Sequence, residues 1–416
     1  MKQIVVHGGQ GLTKIALLED RQLVEFYIER PEDKQLVGNI YKGKVVNVLP
    51  GMQAAFVDIG SGRNAFLYVD DLLPAHLEKQ PKVKPGIAKL VKEGQELMVQ
   101  VTKEPVASKG AKVTTHFSLA GRWAVYMPEA DYVGVSRKIM DEEERNRLKT
   151  IGEQLRKSGE GIILRTVAAG ESRESLSADL HELRRLWQSI VEGFDGAASP
   201  CCLYKEPDMI QRLVRDIFTD QVDELIVDDA EKGREIIELL EKISSESAAK
   251  VRIYSEQAPI FQKYGVYEEL EKSLKPKIWL KSGGFIYVDQ TEALTVIDVN
   301  TGKFTGSVDL EQTVLQTNLE AAEQISRLLR LRDIGGIIIV DFIDMNSERH
   351  RDMIVERMES FIRLDRTKTL VVGWTKLGLL EITRKKVRSQ MESFFFETCS
   401  ACGGLGKVFK ESQLRE

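Results

Sequence analysis

The chain has 416 residues, 42% of them hydrophobic, with 59 basic and 64 acidic residues and a formal net charge of −5. That length suggests roughly two to three domains with full cores, and the near-balance of charge excludes a uniformly basic nucleic-acid coat. No run of about 18 apolar residues could cross a membrane, and the N-terminus lacks the long apolar core of a signal peptide, so a cytoplasmic protein is expected.

The N-terminal stretch reads as strands: Gln3–His7, then Thr13–Leu18 and Gln22–Glu29 as a hairpin joined at Glu19-Asp-Arg. From residue 36 to 118 the character changes. Short β-rich runs punctuated by glycine (Asn39–Leu49, Ala54–Gly60, Ala65–Val69, Glu96–Lys103, Lys112–Thr115) suggest a five-stranded barrel of the OB type. Seven lysines and three glutamates lie between Pro81 and Lys112. Such barrels hold single strands by stacking bases on aromatic rings and tracking phosphates with lysines. Phe56 and Phe66 on successive strands, with Lys109 and Lys112 beside Gly110, are the candidates. A strand phenylalanine is more often core, and a lysine run is usually a solvated face.

Residues 119–210 mix strand and helix. Gly161-Ile-Ile-Leu ends in Arg165 and Thr166, and Ser175–Gly193 has helical spacing with Leu176, Leu180, Leu183, Leu186 and Ile190 on one side. Residues 211–275 alternate: strands at Glu224–Asp228 and Lys250–Tyr254 flank a helix at Glu231–Lys242. This βαβ-like material could complete the N-terminal strands, which would make residues 36–210 an insertion.

The most informative segments come next. Leu294-Thr-Val-Ile-Asp298-Val-Asn300 and Ile337-Ile-Ile-Val-Asp341 are apolar runs that end in a carboxylate, separated by an amphipathic stretch over Leu310–Arg332 that Gly335-Gly336 stops. Phe285–Val288 and Ala293–Val299 read as a hairpin, Ile337–Asp341 as a fully buried strand, Thr369–Val372 as a strand and Leu380–Glu397 as a helix. A strand-helix-strand unit makes parallel strands, usually adjacent. Ligands gather beyond their carboxyl ends, which is where Asp298 and Asp341 fall. Alternation puts Asn300 on the face of Asp298, where its amide can hold that carboxylate. By the same alternation Asp344 lies opposite Asp341 and reads as structural. Two carboxylates suit magnesium, which keeps much of its water shell, and point to phosphodiester hydrolysis. The alternative is that both acids cap helices or pair with lysines.

Near the C-terminus, Cys399-Ser-Ala-Cys402-Gly-Gly has the gap and trailing glycines of a zinc knuckle, but supplies half a tetrahedral set. A second copy of the chain could close the site across a dimer axis; a redox dithiol is the rival reading. With four cysteines and five histidines in all, neither a disulfide scaffold nor a histidine-based triad is supported.

Together these runs resemble the catalytic half of the bacterial ribonuclease E/G family. The resemblance rests on Asn39-Ile-Tyr-Lys-Gly-Lys, Ala54-Ala-Phe-Val-Asp, Leu164-Arg165-Thr166, Thr291-Glu-Ala-Leu-Thr-Val-Ile-Asp298-Val-Asn300, Asn318-Leu-Glu-Ala-Ala, Leu331-Arg-Asp-Ile-Gly-Gly and Val340-Asp-Phe-Ile-Asp-Met345. It implies a mixed α/β (α+β) multidomain protein: an RNase-H-like subdomain split between residues 1–35 and 211–275, an inserted OB-fold barrel of the ribosomal-protein (S-one) type at 36–118, a 5′-sensor region at 119–210, a DNase-I-like catalytic subdomain at 276–395 and a zinc-link at 396–416. By the same resemblance Asp298 and Asp341 hold Mg2+ and Asn300 orients the first of them. Arg165 and Thr166 grip a 5′-monophosphate, and Phe56, Phe66, Lys109 and Lys112 contact RNA. Cys399 and Cys402 bind a structural Zn2+ shared between two chains. The expected protein is a magnesium-dependent endoribonuclease for single-stranded A/U-rich RNA, acting in rRNA processing and mRNA decay as a zinc-linked homodimer. The alternative is a non-catalytic RNA-binding or ribosome-associated protein. Two departures stand out: Ser400 replaces a common proline, and Thr301-Gly-Lys303 replaces the more usual Ser-Ala-Arg. Relatives continue into a small oligomerisation domain after the point where this sequence ends.

Overall fold

The computed structural model describes residues 1–9, 11–30, 35–74, 84–105, 109–303, 310–387, 391–404 and 406–408. Parts of the lysine-rich run after Pro81 and of the stretch 380–397 therefore lie outside the described residues. Four sheets organise the chain, each with its own apolar cluster or pair of clusters.

The first sheet joins the two ends of the long insertion. Lys2–Gly9 pairs antiparallel with Leu12–Glu19, which pairs with Gln22–Glu29. Glu224–Val227 then lies parallel to Lys2–Gly9, in register from Gln3↔Glu224 to Val6↔Val227, and Val251–Ile253 extends the edge. The inner strands are buried on both faces, Ile4, Val6, Ile15 and Leu17 against one cluster and Val5, Ala16 and Leu18 against another. Continuous apolar sequence is what such a position demands.

Between them sits a closed five-stranded barrel. Ile40–Leu49, Ala54–Asp58 and Ala65–Tyr68 run antiparallel in succession. Lys112–Thr114 then lies parallel to the third strand, Glu96–Lys103 pairs with Lys112–Thr114, and Glu96–Lys103 returns to the first strand. This order is consistent with an OB-fold. One strand was not foreseen: Cys201–Tyr204 adds to the edge of Ile40–Leu49. Its Cys-Cys-Leu-Tyr run is too short to carry a period. Gly110 shows how tightly the barrel closes, since a Cβ there would stand 1.9 Å from the Asn64 carbonyl oxygen.

A small sheet follows, in which Ala124–Met127 pairs antiparallel with Gly161–Leu164 and Val133–Val135 pairs parallel with it. The helix Arg173–Gly196 packs on it through Leu176, Leu180, Leu183 and Ile190, and Ser172 caps its start by accepting from the Ser175 N–H.

The last sheet has six strands in the order Lys277–Trp279, Phe285–Gln290, Leu294–Asn300, Gly336–Asp341, Leu380–Arg384, Thr369–Trp374. The helices Leu310–Leu331 and Glu348–Ile362 join its inner face in one apolar cluster. Ile297, Val299, Ile338, Val340 and Ile382 point into that cluster, each contributing roughly 1.5–3 kcal/mol by leaving water.

Two expectations are corrected here. Gly336–Asp341 is not buried throughout: Ile338 and Val340 face the core, while Ile337 is 50% exposed on the open side. An unbroken apolar run reads as two-sided burial, but the helices pack on one face only. Residues Leu380–Arg384 form a strand rather than the start of a helix, and the only helix after it in the described residues is Glu392–Phe395. The strand's period of two, with Leu380, Ile382 and Arg384 turned inward, decides this.

Ion pairs of buried Glu25 tie this layer to the first sheet, and a second buried set braces the layer itself. Glu25, 4% exposed, meets Arg330 of the long helix at 2.8 Å and also Arg366. Arg384 is held by Asp333 at 2.5 Å and Asp365 at 2.7 Å.

Candidate active site

Asp298 is the fifth residue of Leu294–Asn300 and Asp341 the last of Gly336–Asp341. The strands are parallel neighbours and the two aspartates are direct register partners, which sets their backbones about 4.8 Å apart. Both side chains are exposed on the open face, because their chain neighbours Ile297, Val299 and Val340 face the core. Asn300 shares the face, and its Nδ2 donates to Asp298 Oδ2 at 2.7 Å. Among the described residues neither aspartate joins an ion pair or caps a helix. The Asp341 carboxyl is raised above its ordinary value by partial burial, then by the charge of Asp298 and that of Asp344. A cation between the two strands would relieve that crowding. Two carboxylates on open ground, one pinned by an amide, fit a magnesium ion that keeps most of its water. No group of three or more His, Cys, Asp or Glu side chains among the described residues forms a closed metal cage.

The strand stops at Asp341, and exposed Asp344 lies beyond its end, its charge adding to the rise of the Asp341 carboxyl.

Arg165 and Thr166 sit where Gly161–Leu164 ends. The Arg165 Nη1 donates to the Gly121 carbonyl at 2.6 Å and Nη2 meets Asp216 at 2.6 Å. The Thr166 hydroxyl pairs with that of Ser136 at 2.8 Å. Burial pushes the Asp216 carboxyl up, but Arg215 and Arg165 outweigh it and leave it below its ordinary value. Gly121 and Asp216 have no local signal in the sequence. They reach Arg165 only through folding.

In the barrel Phe56 and Phe66 are register partners, half-buried, with ring centroids 6.0 Å apart in an edge-to-face arrangement. Lys109 is exposed, whereas Lys112 is tied to Asp71 at 2.8 Å. The two lysines are therefore not equivalent: among the described residues Lys109 joins no ion pair, while Lys112 already neutralises a carboxylate.

Cys399 and Cys402 follow the short helix on an exposed turn in which the Gly403 N–H donates to the Cys399 carbonyl. The Cys399 thiol is held below its ordinary value by the backbone N–H groups of Cys402 and Ala401 and by the Cys402 side chain. The Gly406 N–H points at Cys402 Sγ at 3.3 Å. Amides aimed at the Cys399 sulfur favour the thiolate that a zinc ion needs. Cys201 and Cys202 lie in the strand beside the barrel instead.

The model of the ribonuclease E/G family matches residues 118–387. Ribonuclease G of Haemophilus influenzae is 43% identical over 403 residues, covering 95% of this chain and 82% of that protein. Ribonuclease G of Escherichia coli is 41% identical over 413 residues, covering 98% and 84%. Ribonuclease E of a Nostoc species is 37% identical over 413 residues, with 98% of this chain and 59% of that protein covered. With a family match spanning more than half its residues and relatives this similar along nearly all its length, the chain belongs to the ribonuclease E/G family.

Proposed function

We propose that this protein is a magnesium-dependent endoribonuclease. It cuts single-stranded A/U-rich RNA, leaves 5′-phosphate and 3′-hydroxyl ends, and acts in RNA processing and decay. The observation that carries the reading is the in-register pairing of Asp298 with Asp341 on the open face of the six-stranded sheet. Family membership supports the reaction class. Asp298 and Asp341 hold the ion, and Asn300 fixes the orientation of Asp298. When bound there, magnesium supplies positive charge that polarises the scissile phosphate. The barrel holds the strand through Phe56 and Phe66, with Lys109 on a phosphate, and Arg165 and Thr166 receive a 5′-monophosphate. In this reading residues 1–35 and 211–275 are the RNase-H-like part, 119–210 the 5′-sensor and 276–395 the DNase-I-like part. Cys399 and Cys402 share one zinc with the same pair of a second chain.

The test is the pair of variants Asp298→Asn and Asp341→Asn, assayed on a short single-stranded A/U RNA with magnesium and with chelator. Cleavage should vanish in both variants while RNA binding persists. Full activity in either one would refute the assignment, and RNA binding without any cleavage by the unaltered protein would make it a binding protein only.

A further inference from the structure

The open face of the six-stranded sheet carries a second feature beside the aspartates, made of residues that no sequence motif singled out. Tyr287 is the register partner of Asp298 on the neighbouring antiparallel strand, and Phe285 is the partner of Asn300. One strand further out, Lys277 stands opposite Tyr287 and Trp279 opposite Phe285. Directly opposed residues share a face, so all four side chains lie on the side of Asp298, Asn300 and Asp341. Ile278, Ile286 and Val288 take the other side and fill the core. The row from Asn300 through Phe285 to Trp279 crosses three strands, roughly 10 Å in all.

Physical chemistry sets this row apart from an ordinary surface. Trp279 is 53% exposed and Tyr287 40%, although both lie on paired strands of the six-stranded sheet. Trp279 and Phe285 meet edge to face with centroids 5.5 Å apart, which fixes their ring planes. The Lys277 ammonium lies 3.7 Å from the Phe285 centroid and 4.4 Å from that of Trp279. A rigid aromatic pair with an adjacent cation suits an unpaired nucleobase and its phosphate. It continues directly from the acid pair. A ladder that merely protects the edge strand from other chains would need the lysine but no half-exposed tryptophan.

We propose that Trp279 and Phe285, with Tyr287 beside Asp298, form a base-stacking platform for the RNA nucleotides next to the scissile phosphate, and that Lys277 neutralises a phosphate there. This rests on the reading of Asp298 and Asp341 as the cleavage site. The platform places the strand across the sheet, so the acids meet one phosphodiester rather than sliding along the chain.

The experiment uses the full chain and a short single-stranded A/U RNA made uncleavable by 2′-O-methylation. Tryptophan fluorescence is followed during titration, with anisotropy of a labelled RNA as an independent measure of binding. RNA should quench the unaltered protein. Trp279→Phe should lose most of that quench while binding changes less than about twofold, because a phenyl ring still stacks. Trp279→Ala and Phe285→Ala should raise KM for the cleavable RNA about tenfold, the equivalent of about 1.4 kcal/mol of lost stacking, with melting temperatures close to that of the unaltered protein. A quench that persists in Trp279→Phe, or an unchanged KM in both alanine variants, overturns the platform. Should Asp298→Asn and Asp341→Asn both cleave normally, the cleavage-site reading fails instead. Should those variants be dead and the alanine variants normal, only the platform fails.

Discussion

Arg165 is not a free cation: one end of its guanidinium donates to the Gly121 carbonyl and the other is ion-paired with Asp216, each at 2.6 Å. The pairing holds the planar fork in one orientation at the end of its strand, next to the exposed Thr166 hydroxyl. A fork of fixed plane can meet phosphate oxygens in a way that a point charge cannot.

Arg165→Lys keeps the charge and loses the fork. It should cut the preference for 5′-monophosphate over 5′-hydroxyl RNA about tenfold, since a hydrogen bond to a charged group is worth roughly 1.5–3 kcal/mol. Cleavage of the 5′-hydroxyl substrate should not change. Initial rates on matched RNAs differing only at the 5′ end decide it, and an unaltered preference would refute the role proposed for Arg165.

Glu25 gives the molecule an acid limit. Burial alone would push its carboxyl up, but Arg366 and Arg330, helped by the Tyr27 hydroxyl, bring it down from an ordinary 4.5 to about 2. A depressed carboxyl contributes stability that is complete above its unfolded value and is lost as pH falls toward the folded one. Between about pH 4.5 and 2 the protein should therefore lose on the order of 3 kcal/mol from this group. In Glu25→Gln that loss should be absent, while stability at neutral pH drops by about 3 kcal/mol because buried Arg330 is left with Glu19 alone and Arg366 loses its carboxylate. Denaturant unfolding across that pH range measures both effects; matching acid profiles for the two proteins would show that the pair is not what titrates.

The cysteine turn predicts a metal stoichiometry. If two chains share one zinc through four thiolates, the purified protein should carry about half a zinc per chain. Cys399→Ser should abolish the zinc and shift the mass in solution from dimer to monomer. Elemental analysis alongside light scattering tests this. A full zinc per chain, or a dimer that survives chelation, contradicts the shared site.

Gly110 should tolerate no side chain. In Gly110→Ala the new methyl group would overlap the Asn64 carbonyl, which is backbone and cannot rotate away. The strand Lys112–Thr114 would have to shift from Ala65–Tyr68, costing roughly 1–3 kcal/mol. Thermal melting and RNA affinity should both fall, whereas an equal change at exposed Gly51, where nothing lies within 4 Å, should do little.

The sequence by itself determined much of the local structure, because period and punctuation are local properties. The alternation in Leu294–Asn300, the helical stripe of Leu310–Leu331 and the glycine-bounded barrel strands all follow from residue order. It also determined the chemistry on offer, since apolar runs ending in Asp298 and Asp341 are legible without a fold. Tertiary structure decided which residues face one another. The register of two parallel strands, set by packing against a helix between them in sequence, makes Asp298 and Asp341 neighbours. The same sheet packs helices on one face only, so Ile337 stays exposed and Tyr287 and Trp279 come to lie beside the acids. Leu380–Arg384 became a strand because a slot between two others was open to it. Asp344 adds its charge to Asp341 from beyond the strand's end, and Asp216 reaches Arg165 across the fold. Such relations depend on contacts between residues far apart in the chain, which no local pattern encodes.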